Sequence, residues 1–242
     1  MVLGSLLLLA AAPAGAFTLP EGTRQLIVGR AESWEATEAR LQRWERDPAG
    51  GAWRAVGVAV PARLGRNGLA WGRGLHPAMP GLQKKESDGR APAGVFAVGG
   101  AFGDEADVPR HPALPYRRVT PADLWVEDAE SPHYNRHLVL PDGRAPATDW
   151  ERKQQMKQGD PAHKLKLFIA HNAGADVQPG AGSAIFFHIW REGGGKPSTG
   201  CTVMDEAVLR EWIGWIDPSR QPLYVLLPEE EYAARRAGWK LP

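Results

Sequence analysis

Glycine and proline punctuate this chain of 242 residues throughout, 28 of the first and 21 of the second. Together they hold about a fifth of the positions, above the roughly 12% of an average protein and below the roughly 25–30% that marks disorder. Glycine weakens a helix interior and proline breaks it. A coiled coil, a long-helix protein and a collagen-like rod are therefore excluded. What remains is a turn-rich, mostly β fold with a few short helices.

The apolar runs fit that reading. Arg24-Gln-Leu-Ile-Val-Gly29 reads as a strand. Leu41 to Asp47 and Trp53 to Val60 flank the turn cluster Pro48-Ala-Gly-Gly51 and read as a hairpin. Ala93-Gly-Val-Phe-Ala-Val98 is a further short strand. Residues 103–163 are rich in Pro, His and Asp with weak periodicity, and a long irregular insert of this kind shapes a binding surface. Leu165 to Ala170 and Ala184 to Trp190 are expected to be paired central strands. Asp205 can cap a helix whose stripe is Val208, Leu209, Trp212, Ile213 and Ile216, with Pro218 beyond its end. Leu223-Tyr-Val-Leu-Leu227 is a final strand, and Pro228 opens a short helix through Arg236. Most of the ten tryptophans are expected in packing.

Twenty-nine Lys and Arg against 28 Asp and Glu leave a net charge of +1, without the basic footprint that duplex nucleic acid requires. Residues 1–16 carry a short apolar run, Leu6 to Ala12, followed by Ala14-Gly15-Ala16, a small-x-small cleavage site. The run is shorter than the roughly 20 residues a membrane span needs. The reading is a signal peptide ahead of a single exported domain over 17–242, periplasmic or extracellular, with no stable membrane insertion. The one cysteine, Cys201, can form no internal disulfide, so export would leave a free thiol that needs a reason.

That reason is found nearby. His188 stands in Phe186-Phe-His-Ile-Trp190, and Cys201 follows it by 13 residues across a glycine-rich loop. A strand, such a loop and a helix start can return the thiol to the imidazole. Cysteine needs a base because the thiolate is the nucleophile. The helix beginning near Asp205 adds weak positive potential. Gly200 leaves the backbone open beside the sulfur, where neighbouring N–H groups can face an oxyanion. These parts make an acyl-transfer site that calls for no metal and no cofactor.

Ser198-x-Gly200-Cys201 after a strand-borne His resembles the signature of the L,D-transpeptidases, the YkuD-like domain. Upstream, Arg90-Ala-Pro92-Ala-Gly94-Val-Phe96 is similar to that family's Thr-Pro-x-Gly-x-Phe strand. The resemblance spans roughly residues 24–228. It implies a β-sandwich or barrel of mixed sheets with small helices. It implies Cys201 as nucleophile and His188 as base, acting on peptidoglycan stem peptides with release of a terminal D-amino acid through a thioester. Ser198 and Gly200 match the loop that shapes the site. The chain departs from the pattern at Val203, where the family carries Arg.

Arg191 is the sequence candidate for the missing cation, provided the strand ends before it, since alternation otherwise turns it away from His188. His171 can orient His188 or contact substrate, or make a structural hydrogen bond. Thr202 can cap the turn or donate to substrate, and Tyr134 and Asn135 can line the cleft. His133 and His137 have helical metal-ligand spacing, but no Glu follows His133 and Pro132 precedes it, so a zinc hydrolase is the weaker reading. Two alternatives stand beside the transpeptidase: an L,D-carboxypeptidase using water, and a non-catalytic cell-wall-binding protein.

Overall fold

The computed structural model describes residues 17–47 and 51–242. The expected leader, 1–16, and most of the expected hairpin turn lie outside the described residues. The fold is mostly β. Its strands are, in chain order, β1 (Gln25–Ala31), β2 (Glu38–Glu45), β3 (Arg54–Arg63), β4 (Leu69–Trp71) and β5 (Ala91–Gly103). There follow β6 (Tyr116–Arg118), β7 (Asp123–Trp125), β8 (His137–Val139), β9 (Leu165–Ile169), β10 (Phe186–Ile189), β11 (Thr202–Met204) and β12 (Leu223–Pro228). The α-helices are α1 (Asp149–Lys153), α2 (Glu206–Trp215) and α3 (Glu229–Trp239).

Eight of the strands form a closed ring in the order β12, β1, β2, β3, β11, β10, β9, β5, and β5 pairs back onto β12. The expected β2–β3 hairpin and the antiparallel β9–β10 pair are both present. Within the ring two pairings are parallel, β1 with β12 and β10 with β11, so the barrel is mixed. Closure depends on the length of β5. Its first part pairs with β4 and β12, and its second with β9 and β6, across an irregularity between Val98 and Ala101 where Gly99 and Gly100 sit.

The barrel interior is one apolar cluster that includes Leu26, Val28, Leu41, Phe96, Leu167, Phe187 and Tyr224. Helix α2 adds Leu209, Trp212 and Ile213 to it, with the Asp205 carboxylate accepting the Ala207 N–H at its start. Trp71, Trp125, Trp212 and Trp239 are buried, in line with packing roles. Phe96 of the Pro-x-Gly-x-Phe strand meets the His171 and Tyr224 rings. Gly94 in that strand has φ +137°, and a Cβ there would lie 1.8 Å from His76 Nε2, so both conformation and space demand glycine.

A second, smaller cluster lies outside the barrel. Val119, Trp125, Met156 and Phe186 are its buried members, with Phe102, Phe168, Ala184 and Cys201 against it. Residues 119–163 are thus laid over the outer face of β9 and β10. Asn135, at φ 56°, fastens this segment down. Its side chain accepts Trp125 Nε1–H at 2.9 Å and Ala184 N–H at 3.0 Å, and donates to the carbonyls of His171 and Asn172.

Candidate active site

Strand alternation sorts β10 into two jobs. Phe187 points into the barrel, with its ring 4.6 Å from Tyr224. Phe186 and His188 point outward, under the 119–163 segment. On β9 the same rule sends Leu165, Leu167 and Ile169 inward and leaves Lys166 and Phe168 outward. Register places Phe186 opposite Phe168 and His188 opposite Lys166. On the other side of β10, His188 faces Val203 and Phe187 faces Thr202. Cys201, one residue before β11, therefore comes alongside Phe186, and the Phe186 N–H reaches its sulfur at 3.4 Å.

The turn that carries Cys201 is held by Ser198. Its hydroxyl donates to the Cys201 carbonyl at 2.6 Å and accepts the Gly200 N–H at 3.0 Å. The Ser198 backbone bridges to the 64–66 loop, accepting from Arg66 N and donating to Leu64 O. Gly200 has φ +150°, and a Cβ there would stand 3.0 Å from the Arg90 carbonyl. Because Ser198 already accepts the Gly200 N–H, that group is not free to donate to an oxyanion. We expect Gly200→Ala to cost about 1–3 kcal/mol of stability from backbone strain. Steady-state rate should fall with it, and a urea titration together with turnover measures both.

Cys201 and His188 bound a single cavity of about 330 Å³. His188 is 5% exposed, and its Nδ1–H donates to the Ile189 carbonyl at 2.9 Å. A carbonyl can only accept, so this bond fixes the tautomer and leaves Nε2 with its lone pair. Burial drives His188 down to about 3, with His163, Lys166 and Arg191 adding to the effect. Burial pushes the Cys201 thiol up to about 11; the Phe186 N–H, Lys166 and Lys84 pull the other way. The resting pair is thus a neutral thiol and a neutral imidazole. The thiol contacts the Ala184 carbonyl at 3.5 Å, and no hydrogen bond joins it to His188 among the described residues. Proton transfer belongs to the moment of attack, since catalytic hydrogen bonds often tighten only when substrate is bound.

The buried histidines set a pH dependence of stability. His171 is also pushed down to about 3 by burial. The unfolded chain takes up these protons near the usual value of about 6.5. The folded chain refuses them until about pH 3. Stability is therefore complete above about pH 6.5 and is lost as pH falls toward 3, at up to about 1.4 kcal/mol per histidine per pH unit. Asp123 and Asp160, both lowered to about 2, add losses only below about pH 4. Urea midpoints should fall between pH 6.5 and 4.5, and a flat profile there would contradict neutral buried histidines.

The remaining sequence candidates divide. Strand β10 does end at Ile189, and Arg191 reaches the rim of the cavity. Its guanidinium is already paired with Asp160 Oδ2 at 2.5 Å. Val203 is buried in β11 beside His188 and carries no charge to the site. Thr202 faces inward, 1% exposed, bonded to the Tyr224 hydroxyl at 3.0 Å. Alternation from Cys201 forces this, and the structure corrects any substrate contact for Thr202. His171 is corrected likewise. Its Nδ1 accepts the Arg73 N–H, its Nε2 donates to the Ala181 carbonyl, and it borders neither cavity beside Cys201. Asn135 is the fastener described above, and Tyr134 donates to Glu86. His137 meets Asp123 at 2.8 Å beside Arg117, and no group of three or more potential metal ligands occurs among the described residues.

Sequence reasoning did not reach Lys166, Asp160 and His163. The His163 ring lies 4.7 Å from that of His188, and Asp160 Oδ1 accepts its Nδ1–H at 2.7 Å. Trp125, Gln154, Met156 and Gln158 of the 119–163 segment complete the wall. A second cavity, about 280 Å³, opens on the other side of the thiol with Arg66, Lys84, Glu86 and Ser183 around it. Glu127, Ala184, Thr199 and Cys201 border both.

No family model and no curated protein matches the chain. Among solved structures the chain is similar to the helical cell shape determining protein Pgp2 from Campylobacter jejuni, at 12% identity and a TM-score of 0.41. The match covers 85% of this chain and 48% of that one, so the chain spans about half the length of the structure it resembles.

Proposed function

We propose that this chain is an exported cysteine acyltransferase, an L,D-transpeptidase acting on peptidoglycan stem peptides in the cell envelope. The observation that carries the reading is that Cys201 and His188 border one cavity, with the imidazole tautomer fixed so that Nε2 can accept a proton. The sequence resemblance supplies the substrate class.

In this reading His188 Nε2 takes the thiol proton as Cys201 Sγ bonds to the donor carbonyl carbon. The tetrahedral adduct collapses by breaking the carbon–nitrogen bond to the terminal D-residue. The leaving amine receives the proton from His188, and a thioester remains on Cys201. An acceptor amine then attacks the thioester carbonyl, gives its proton to His188, and the proton returns to the departing sulfur. Transfer needs room for two peptides, whereas hydrolysis needs room for one and a water. The two cavities meeting at Cys201 support transfer over the carboxypeptidase alternative.

Incubation with a tetrapeptide muropeptide, read by intact mass and product analysis, tests the reading. A protein adduct of the acyl group together with a cross-linked dimer is expected. A free tripeptide would assign the carboxypeptidase instead, and neither adduct nor product would remove the enzymatic reading.

A further inference from the structure

Lys166 borders the cavity and takes no part in the steps above. It is 4% exposed, sits on the outer face of β9 opposite His188, and borders the cavity with Cys201. Its hydrogen-bond partner is neutral: Nζ donates to the Met156 carbonyl at 2.9 Å. The other face of the ammonium looks over the Phe186 ring at 5.9 Å. No carboxylate is within ion-pair distance of it among the described residues; Glu127 borders the same cavity and, with Asp104 and Asp160, acts on it only at longer range, and Arg191 at the rim already holds Asp160. An ammonium has three donors, and Met156 takes one. A buried cation left with a single neutral acceptor is costly, and an anion entering the cavity relieves that cost. Burial pulls its pKa down, opposed by the Cys201 sulfur once that is ionised and by Asp104, Asp160 and Glu127.

We infer that Lys166 is the anion-binding residue of this site, gripping a carboxylate of the acyl donor beside Cys201 in the place where Val203 offers no charge. The inference rests on the proposed acyl transfer only for the identity of the anion. Lys166 on β9 and Cys201 just before β11 flank the same outward face of β10, so an anion held by Nζ lies beside the reacting sulfur.

Alkylation tests this without any peptide substrate. Iodoacetate carries a carboxylate and iodoacetamide does not, and both report the same thiol. The ratio of their rates at Cys201 therefore isolates anion binding from any effect of Lys166 on thiolate population. We expect that ratio to fall by about tenfold or more in Lys166→Met, the size of one charge-assisted hydrogen bond, and to be partly retained in Lys166→Arg. An unchanged ratio in a folded Lys166→Met overturns the inference. If that variant fails to fold, the wild-type chain decides. Propionate at constant ionic strength should slow iodoacetate more than propionamide does, and equal slowing overturns the inference. Because alkylation proceeds whether or not acyl transfer occurs, absence of muropeptide turnover and absence of anion preference are separate results.

Discussion

Cys201→Ala is expected to abolish formation of the acyl adduct and all turnover on a tetrapeptide muropeptide, while the folded state survives. Cys201 is a small, partly buried residue on the edge of the outer cluster, so its sulfur adds little to the core. The change should move the thermal midpoint by no more than a few degrees, as expected for a loss of about 1 kcal/mol or less. Without sulfur no thioester can form, and no other nucleophile stands at that position. Intact mass after incubation checks the adduct, and a thermal melt checks the fold. Residual adduct on the variant would place the nucleophile elsewhere. An unfolded variant would make Cys201 a packing residue.

His188→Ala should lower turnover by about 10²- to 10⁴-fold, the range for loss of a general base. The pH at which Cys201 reacts with iodoacetamide should stay nearly where it is. Burial dominates the thiol's raised value, and a neutral imidazole lends the thiolate no charge. That split separates a base acting during attack from an ion-pair partner. A large shift of the alkylation profile, with turnover retained, would reverse the assignment.

Much of this architecture was legible from residue order because the strands are short and their boundaries carry glycine and proline. The β2–β3 hairpin, the β9–β10 pair, the capped helix α2 and the β12–α3 end all follow from local pattern. Ring closure did not, because the partners β5 and β12 lie more than 100 residues apart and nothing local records their pairing. Lys166 was hidden for a physical reason. In Leu165-Lys-Leu167 alternation assigns the lysine to the solvent side, and only the segment over 119–163, with its weak periodicity, turns that side into a cavity wall. His171 misleads in the opposite sense: by sequence it closes the strand next to the site, but β9 ends at Ile169, Asn172, at φ 48°, turns the chain there and the ring is enclosed in backbone contacts. For Thr202, alternation applied one residue past Cys201 already gives the inward direction.

The ring also bears on how the chain reaches its native state. The seam is completed by β12, seated between β1 near the start of the described chain and β5 in its middle. Until residues 223–228 arrive, both neighbours present unpaired edges, the kind of surface that recruits another chain. Pairings of such sequence separation fold slowly, because loop closure must precede the contacts that reward it. A nascent chain halted before Leu223 would therefore be a template for aggregation rather than a smaller domain. Ring closure waits on β12, and until it is available the open edges of β1 and β5 must be kept from pairing elsewhere.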